Sequence, residues 1–218
     1  MRFHQILTLV AVSQALFFGV LFYKYLNKAL KVVFAFVSMA VISEFSAQII
    51  IHLFKGTTIW KTHFYVMFEF FFWALFFWYL MKPFVNKNLY WLVVTVFEIY
   101  CIVNIIFIQG LNEYPTTRAI ESILMIVLSI LTFYRIMVEG KIDKLRNEPV
   151  IWINSAVLLY FASSIFFHLV FNVLLVKDVE FLKKSGYLFI AVNVAFYALL
   201  SISFYLQKVK APEAQKPR

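Results

Sequence analysis

Glu44, Glu69, Glu98 and Glu121 are carboxylic acids set in apolar runs, and Arg118 stands three residues before Glu121. An ionisable group at the centre of a bilayer-spanning helix costs about 3 kcal/mol on insertion scales, so residues of this kind mark interior or functional positions. Helical spacing groups them. Glu44 and Gln48 are one turn apart and share a face, with His52 one turn further on. Arg118 and Glu121 can pair directly. Asn154, Phe161, His168 and Asn172 fall within about 40° of one stripe at 100° per residue. Asn193 lies near the middle of the last apolar run. Lipid offers no hydrogen bonds, so these polar stripes should face a shared interior. That interior is either a hydrogen-bonded seam between helices or a ligand pocket, and it is the candidate binding site. A carboxyl within it could also serve as a general acid or base, with His168 nearby.

Other chemistries lack their residues. Zinc requires three or four close ligands, yet no HxxxH or HExxH pair occurs, and Asp143 and Asp178 lie between apolar runs. No metal site is expected. Ser164 and His168 are one turn apart, but no GxSG context supports a nucleophilic serine. The last run, Tyr187–Leu206, contains no lysine for a retinal Schiff base. Phosphate-loop, glycine-rich and haem-ligand motifs are missing as well, so no cofactor is expected.

The elements that must hold these residues follow from composition. Of 218 residues, 63% are hydrophobic and only 14% charged, against the quarter usual in soluble domains. A soluble core of this length could not cover so much apolar surface. A hydrocarbon layer of about 30 Å needs about 20 apolar residues per helix, and seven stretches qualify: Gln5–Tyr23, Val32–Phe54, Thr62–Met81, Leu89–Gln109, Arg118–Val138, Val150–Val176 and Tyr187–Leu206. The expectation is an all-α polytopic transmembrane bundle of about seven helices over residues 1–206, followed by a disordered basic cytoplasmic tail over 207–218. The first stretch reads as an uncleaved helix, because apolar residues continue through Leu16–Tyr23. All five prolines fall between or after the apolar runs, which predicts unbroken helices. Aromatic residues at the run ends, such as Trp60 and Trp152, fit interfacial belts. The third run, Phe64–Trp73, is aromatic on all sides and reads as packing.

The net charge of +9 lies in short loops and in the tail. It points to anionic lipid and the positive-inside rule, not to nucleic acid. The first, third and fifth loops and the tail carry most of the Lys and Arg, which places the N-terminus outside and the C-terminus in the cytoplasm, as in a multi-pass protein of a cell inner membrane. A sixth loop holding Lys177, Lys183 and Lys184 runs against that assignment. In this orientation His52, Glu69, Arg118, Glu121, His168 and Asn172 lie in the outer half, and Glu44, Glu98 and Asn193 lie near the midplane. The polar interior then widens toward the outside.

Glu148–Phe161 after the fifth loop, Val192–Tyr197 in the last run and Glu69 within Phe68–Phe72 together resemble a group of small seven-helix integral membrane proteins of Bacteroidetes-type bacteria, sensor-like and without an output domain. The resemblance implies a bacterial inner-membrane protein working with a cytoplasmic signalling partner. The function expected is a sensor or scaffold module that binds a small molecule or lipid in an outward-facing polar cavity. An alternative is an intramembrane lipid hydrolase. The length and helix count are similar to those of the lysoplasmalogenase-like enzymes, although those commonly use aspartates where this chain has glutamates. A proton-coupled transporter is a further alternative, disfavoured by the unbroken helices.

Overall fold

A computed structural model describes residues 3–140, 144–177 and 179–213, with side chains except at 3–5, 166, 168–177, 179, 182, 183, 212 and 213. All regular elements among the described residues are helical. They are α1 (Phe3–Phe22), α2 (Lys28–His52), α3 (Ile59–Met81), α4 (Lys87–Val103), α5 (Thr117–Glu139), α6 (Pro149–Lys177) and α7 (Val179–Glu213). Six stretches are long and apolar enough to cross a membrane, and Pro149–Ile165 of α6 is a shorter apolar one. Local signals set the ends. Asn27 caps α2 by accepting from the Leu30 N–H at 3.0 Å. Asn86 caps α4. Gly140, at φ 58°, closes α5 in the left-handed conformation that glycine adopts without strain. Pro149 opens α6, where its missing N–H has no helical partner to lose.

Helices α1, α2, α3, α5, α6 and α7 each pack on two neighbours and close a ring in that order, with α7 returning to α1. Helix α4 stands outside the ring against α3. There Phe70 and Phe97 have ring centroids 4.0 Å apart, and the Tyr90 hydroxyl donates to the Ala74 carbonyl at 2.5 Å. Gly19 brings α1 close to its neighbours: a Cβ there would lie 2.5 Å from Phe34 of α2 and 3.3 Å from Phe204 of α7. The ring's centre is filled by Phe36, Trp73 and Phe196, with centroid separations of 4.9, 5.8 and 6.2 Å. Tyr160 stacks on Phe196 from the side at 4.8 Å. The outer surface is apolar, with Ile42, Phe107 and Leu188 among its exposed residues.

The alternating course of the helices gives the bundle two ends. One gathers the α2–α3 and α4–α5 loops and the α6–α7 junction. The other gathers the α1–α2, α3–α4 and α5–α6 loops with the end of α7. At this second end Asn27 meets Gln207, and Lys210 Nζ meets both carboxylate oxygens of Glu148 at 2.6 Å.

Three features depart from the sequence reading. First, α7 continues through Gln207 to Glu213, where a disordered tail was expected; residues 214–218 lie outside the described residues. Helix α7 is tied to Glu148 through Lys210, a constraint that the residue types in 207–213 do not announce. Second, Lys183 and Lys184 belong to α7, not to a sixth loop, since α7 begins at Val179. Lys184 pairs with Glu180 one turn earlier at 3.0 Å. Third, the α4 ladder widens to a π-helical turn at Asn104–Ile108, with no proline or glycine to signal it. Gln109 then folds back, with its side chain bonded to the Tyr114 carbonyl at 2.7 Å and to the Thr116 N–H at 3.0 Å.

Candidate functional site

Three helix faces and one loop converge at the first end of the bundle. On α2, Ser43, Glu44, Ala47, Gln48 and Ile51 form a stripe with steps of 1, 3, 1 and 3 residues, one side of a helix. Lys61, Thr62 and Tyr65 do the same on α3. Phe189, Asn193 and Tyr197 do so on α7, in steps of four. Tyr160 of α6, Arg118 of α5 and Tyr114 of the α4–α5 loop complete the wall. Together they enclose a cavity of about 300 Å3. The Phe36–Trp73–Phe196 cluster lies further along the ring. Phe36 precedes Glu44 by eight residues, about 12 Å along α2.

Behind the cavity wall lies a buried charge cluster. Arg118 is 6% exposed, Glu69 1% and Glu121 not at all. Arg118 Nη1 donates to Glu69 Oε2 in a short ion pair and reaches Glu121 Oε2 at 3.5 Å. The guanidinium also lies over the Tyr65 ring, 5.0 Å from its centroid, an attraction to the ring's negative face. Arg118 Nε and Glu121 Oε1 are covered and have no hydrogen-bond partner among the described residues. Lys61, across the cavity, is engaged as well: its Nζ donates to the Ser43 carbonyl and to Ser46 Oγ, the latter at 2.9 Å. Glu44 feels Lys61 electrostatically, but its carboxylate makes no hydrogen bond or ion pair among the described residues. Tyr65 and Tyr197 both present their side chains to the cavity. In the α4–α5 loop, burial pushes the Tyr114 phenol up to about 12, so it stays a neutral wall group at ordinary pH.

The candidate residues named from the sequence separate into four groups. Glu44, Gln48, Arg118 and Asn193 line the cavity, and Glu69 and Glu121 stand behind Arg118. His52 and Glu98 do not join them. His52 is exposed at the end of α2. Two steps of four residues carry it about 80° round the helix from Glu44, whereas the seven-residue step to Ile51 returns within about 20°. Glu98 is half-buried on α4, outside the ring; its covered Oε1 has no hydrogen-bond partner among the described residues, and it acts on Glu121 only through space. Asn154 is buried elsewhere, donating to the Ser129 carbonyl at 2.9 Å and joining α6 to α5. The side chains of His168 and Asn172 lie outside the described residues.

Lys61 and the four tyrosines (Tyr65, Tyr114, Tyr160 and Tyr197) were not on the sequence list. For Lys61 and Tyr65 a signal was present in the 3–1–3 spacing of Thr58, Lys61, Thr62 and Tyr65, hidden by the aromatic run that follows. His63 was also passed over; it is buried, and its Nε2 lies 2.9 Å from the Glu113 carbonyl. Ser164 is occupied locally, its hydroxyl donating to the Phe161 carbonyl at 3.4 Å. Among the described residues, no group of three or more His, Cys, Asp or Glu could hold a metal ion. No protein-family model matches the chain, and comparison with curated proteins and with solved structures finds no match.

Proposed function

We propose that the chain is a seven-span membrane module that binds a small molecule in the cavity between α2, α3 and α7 and reports its occupancy at the opposite end. In this reading the first end, with the α2–α3 and α4–α5 loops, faces outside, and the second end faces the cytoplasm, as the Lys and Arg distribution suggests. The observation that carries the reading is a dead-end cavity. It is polar and walled by Glu44, Lys61, Arg118 and tyrosines, and the Phe36–Trp73–Phe196 cluster fills the ring beyond it. A binding site needs access from one end.

Helix α7 provides a route for the report. Asn193 and Tyr197 touch the cavity. Lys210, about 25 Å further along the same helix, grips Glu148 of the α5–α6 connection. A ligand that favoured one setting of α7 would shift that connection, provided its affinity differed between the two settings. A cytoplasmic signalling protein is the partner such a device requires.

The test is retention. Purified protein in lipid nanodiscs is incubated with a small-molecule extract, washed and examined by native mass spectrometry. We expect a small molecule retained in near-stoichiometric amount and lost from an Ala47→Phe variant, whose ring would fill the cavity. Equal retention by the two proteins would refute the reading.

A further inference from the structure

We propose that the molecule taken by this cavity is an organic ammonium ion, a protonated amine with an apolar or aromatic body. The inference rests on the binding-module reading above and adds the chemical class of the ligand. It follows from which charges in the site are already committed. Lys61 is held by the Ser43 carbonyl and Ser46 Oγ. Arg118 is held by Glu69 and Glu121 and lies over Tyr65. Its Nε is covered, so it is not offered to the cavity. Glu44 alone among the charged wall residues has no hydrogen bond or ion pair among the described residues. The free charge is therefore an acid.

Two further observations point the same way. Glu44 stands in a weakly screened site, where an ammonium ion would stabilise its carboxylate strongly. Four tyrosines also line the wall: Tyr65, Tyr114, Tyr160 and Tyr197. Tyrosine faces attract ammonium groups, and Tyr65 already carries one cation, Arg118, at 5.0 Å. An anion would meet Glu44, a like charge, on the same wall. A neutral ligand would leave Glu44 without a direct ionic partner.

The experiment compares three probes of matched shape: phenethylammonium, phenylacetate and 2-phenylethanol. Each is titrated calorimetrically into the nanodisc-embedded protein and into the Glu44→Gln, Lys61→Met and Ala47→Phe variants. We expect phenethylammonium to bind at least tenfold more tightly than either other probe. Binding should weaken at least tenfold in Glu44→Gln, persist in Lys61→Met and vanish in Ala47→Phe. Glu44→Gln keeps the side-chain shape, and an unchanged melting temperature for that variant separates lost binding from lost folding. If phenylacetate or the alcohol binds as well or better, and Ala47→Phe abolishes it, the ammonium assignment is overturned while the cavity keeps its role. If phenethylammonium does not bind although the extract experiment yields a molecule lost in Ala47→Phe, the assignment is again overturned and the binding module stands. If neither experiment yields a ligand sensitive to Ala47→Phe, both proposals fall.

Discussion

Replacing Arg118 with methionine should destabilise the bundle by about 3–5 kcal/mol, the range for removing one partner from a buried ion pair. The geometry gives a similar figure. The charge-assisted hydrogen bond to Glu69 contributes about 1.5–3 kcal/mol. The contact to Glu121, at 3.5 Å, is at the limit of a hydrogen bond and adds less. The Tyr65 ring contact adds about 1–2 kcal/mol when desolvated. A loss of this size shifts the folded-to-unfolded ratio by about two to three and a half decades.

The sharper test is non-additivity. With Arg118 gone, Glu69 and Glu121 are left buried and facing each other, 1% and 0% exposed. Neutralising them too, in Glu69→Gln/Arg118→Met/Glu121→Gln, removes the whole network and should recover most of the loss, leaving about 2 kcal/mol or less. The assay is reversible unfolding in mixed detergent micelles, followed by tryptophan fluorescence, for the wild type, the three single variants and the triple. An Arg118→Met cost under about 1 kcal/mol would refute the buried pair. A triple variant as damaged as the sum of the singles would refute the coupling.

Three further outcomes are expected. Tyr90→Phe removes the hydroxyl that bonds the Ala74 carbonyl of α3 and should cost about 1 kcal/mol in the same unfolding assay, with no effect on ligand retention, since α4 is outside the ring. Gly19→Ala drives a methyl to 2.5 Å from Phe34 and should cost about 1–3 kcal/mol by overpacking; adding Phe34→Leu should restore part of it, and no restoration would argue against the contact. Gln109→Ala frees the backbone of Tyr114 and Thr116, so hydrogen exchange measured by mass spectrometry should accelerate across 110–116 while the 190–205 stretch of α7 stays protected.

Helix count and approximate spans were legible in the sequence because an apolar run of helix-spanning length is a one-dimensional signal. Loops and neighbours are not. The end of α7 was misread because Gln207–Glu213 is locally polar, and only a distant partner, Glu148, shows that it is held. The π-helical turn in α4 escaped because it has no proline or glycine; what accompanies it is Gln109 closing the following loop through its own side chain. In the site, Glu44, Gln48, Arg118 and Asn193 stood out because polar residues are rare in apolar runs. Tyr65, Tyr160 and Tyr197 did not stand out: a tyrosine is half apolar and reads as packing wherever aromatic residues are abundant. Lys61 was counted as loop charge, because nothing in the sequence says that its long side chain turns back onto α2 and not outward to water.

The order of helices round the ring follows from the same preference for hydrogen-bonded polar groups. Sequence neighbours usually pack together, yet α3 lies between α2 and α5, and α4 is left outside. Helix α5 has a largely polar buried face, with Arg118, Glu121, Ser122, Ser129 and Thr132 interrupted by Met125. In apolar surroundings that face can be satisfied only against other polar groups. Glu69 of α3 supplies one partner at its first turn. Asn154 of α6 donates to the Ser129 carbonyl near the middle of α5, while the Ser129 hydroxyl has no partner among the described residues. Ser122 and Thr132 bond back to their own helix and need no neighbour beyond a close one. Helix α4 has no such stripe; its buried face is Tyr90, Val94, Phe97 and Cys101, and its opposite face, with Leu92, Val96 and Ile99, can meet lipid without cost. The polar helix is drawn into the ring and the apolar one is left at its edge. Arg118 and Glu121 are thereby carried behind the cavity wall, and Glu98, the one acid on α4, is kept from the site it was expected to join.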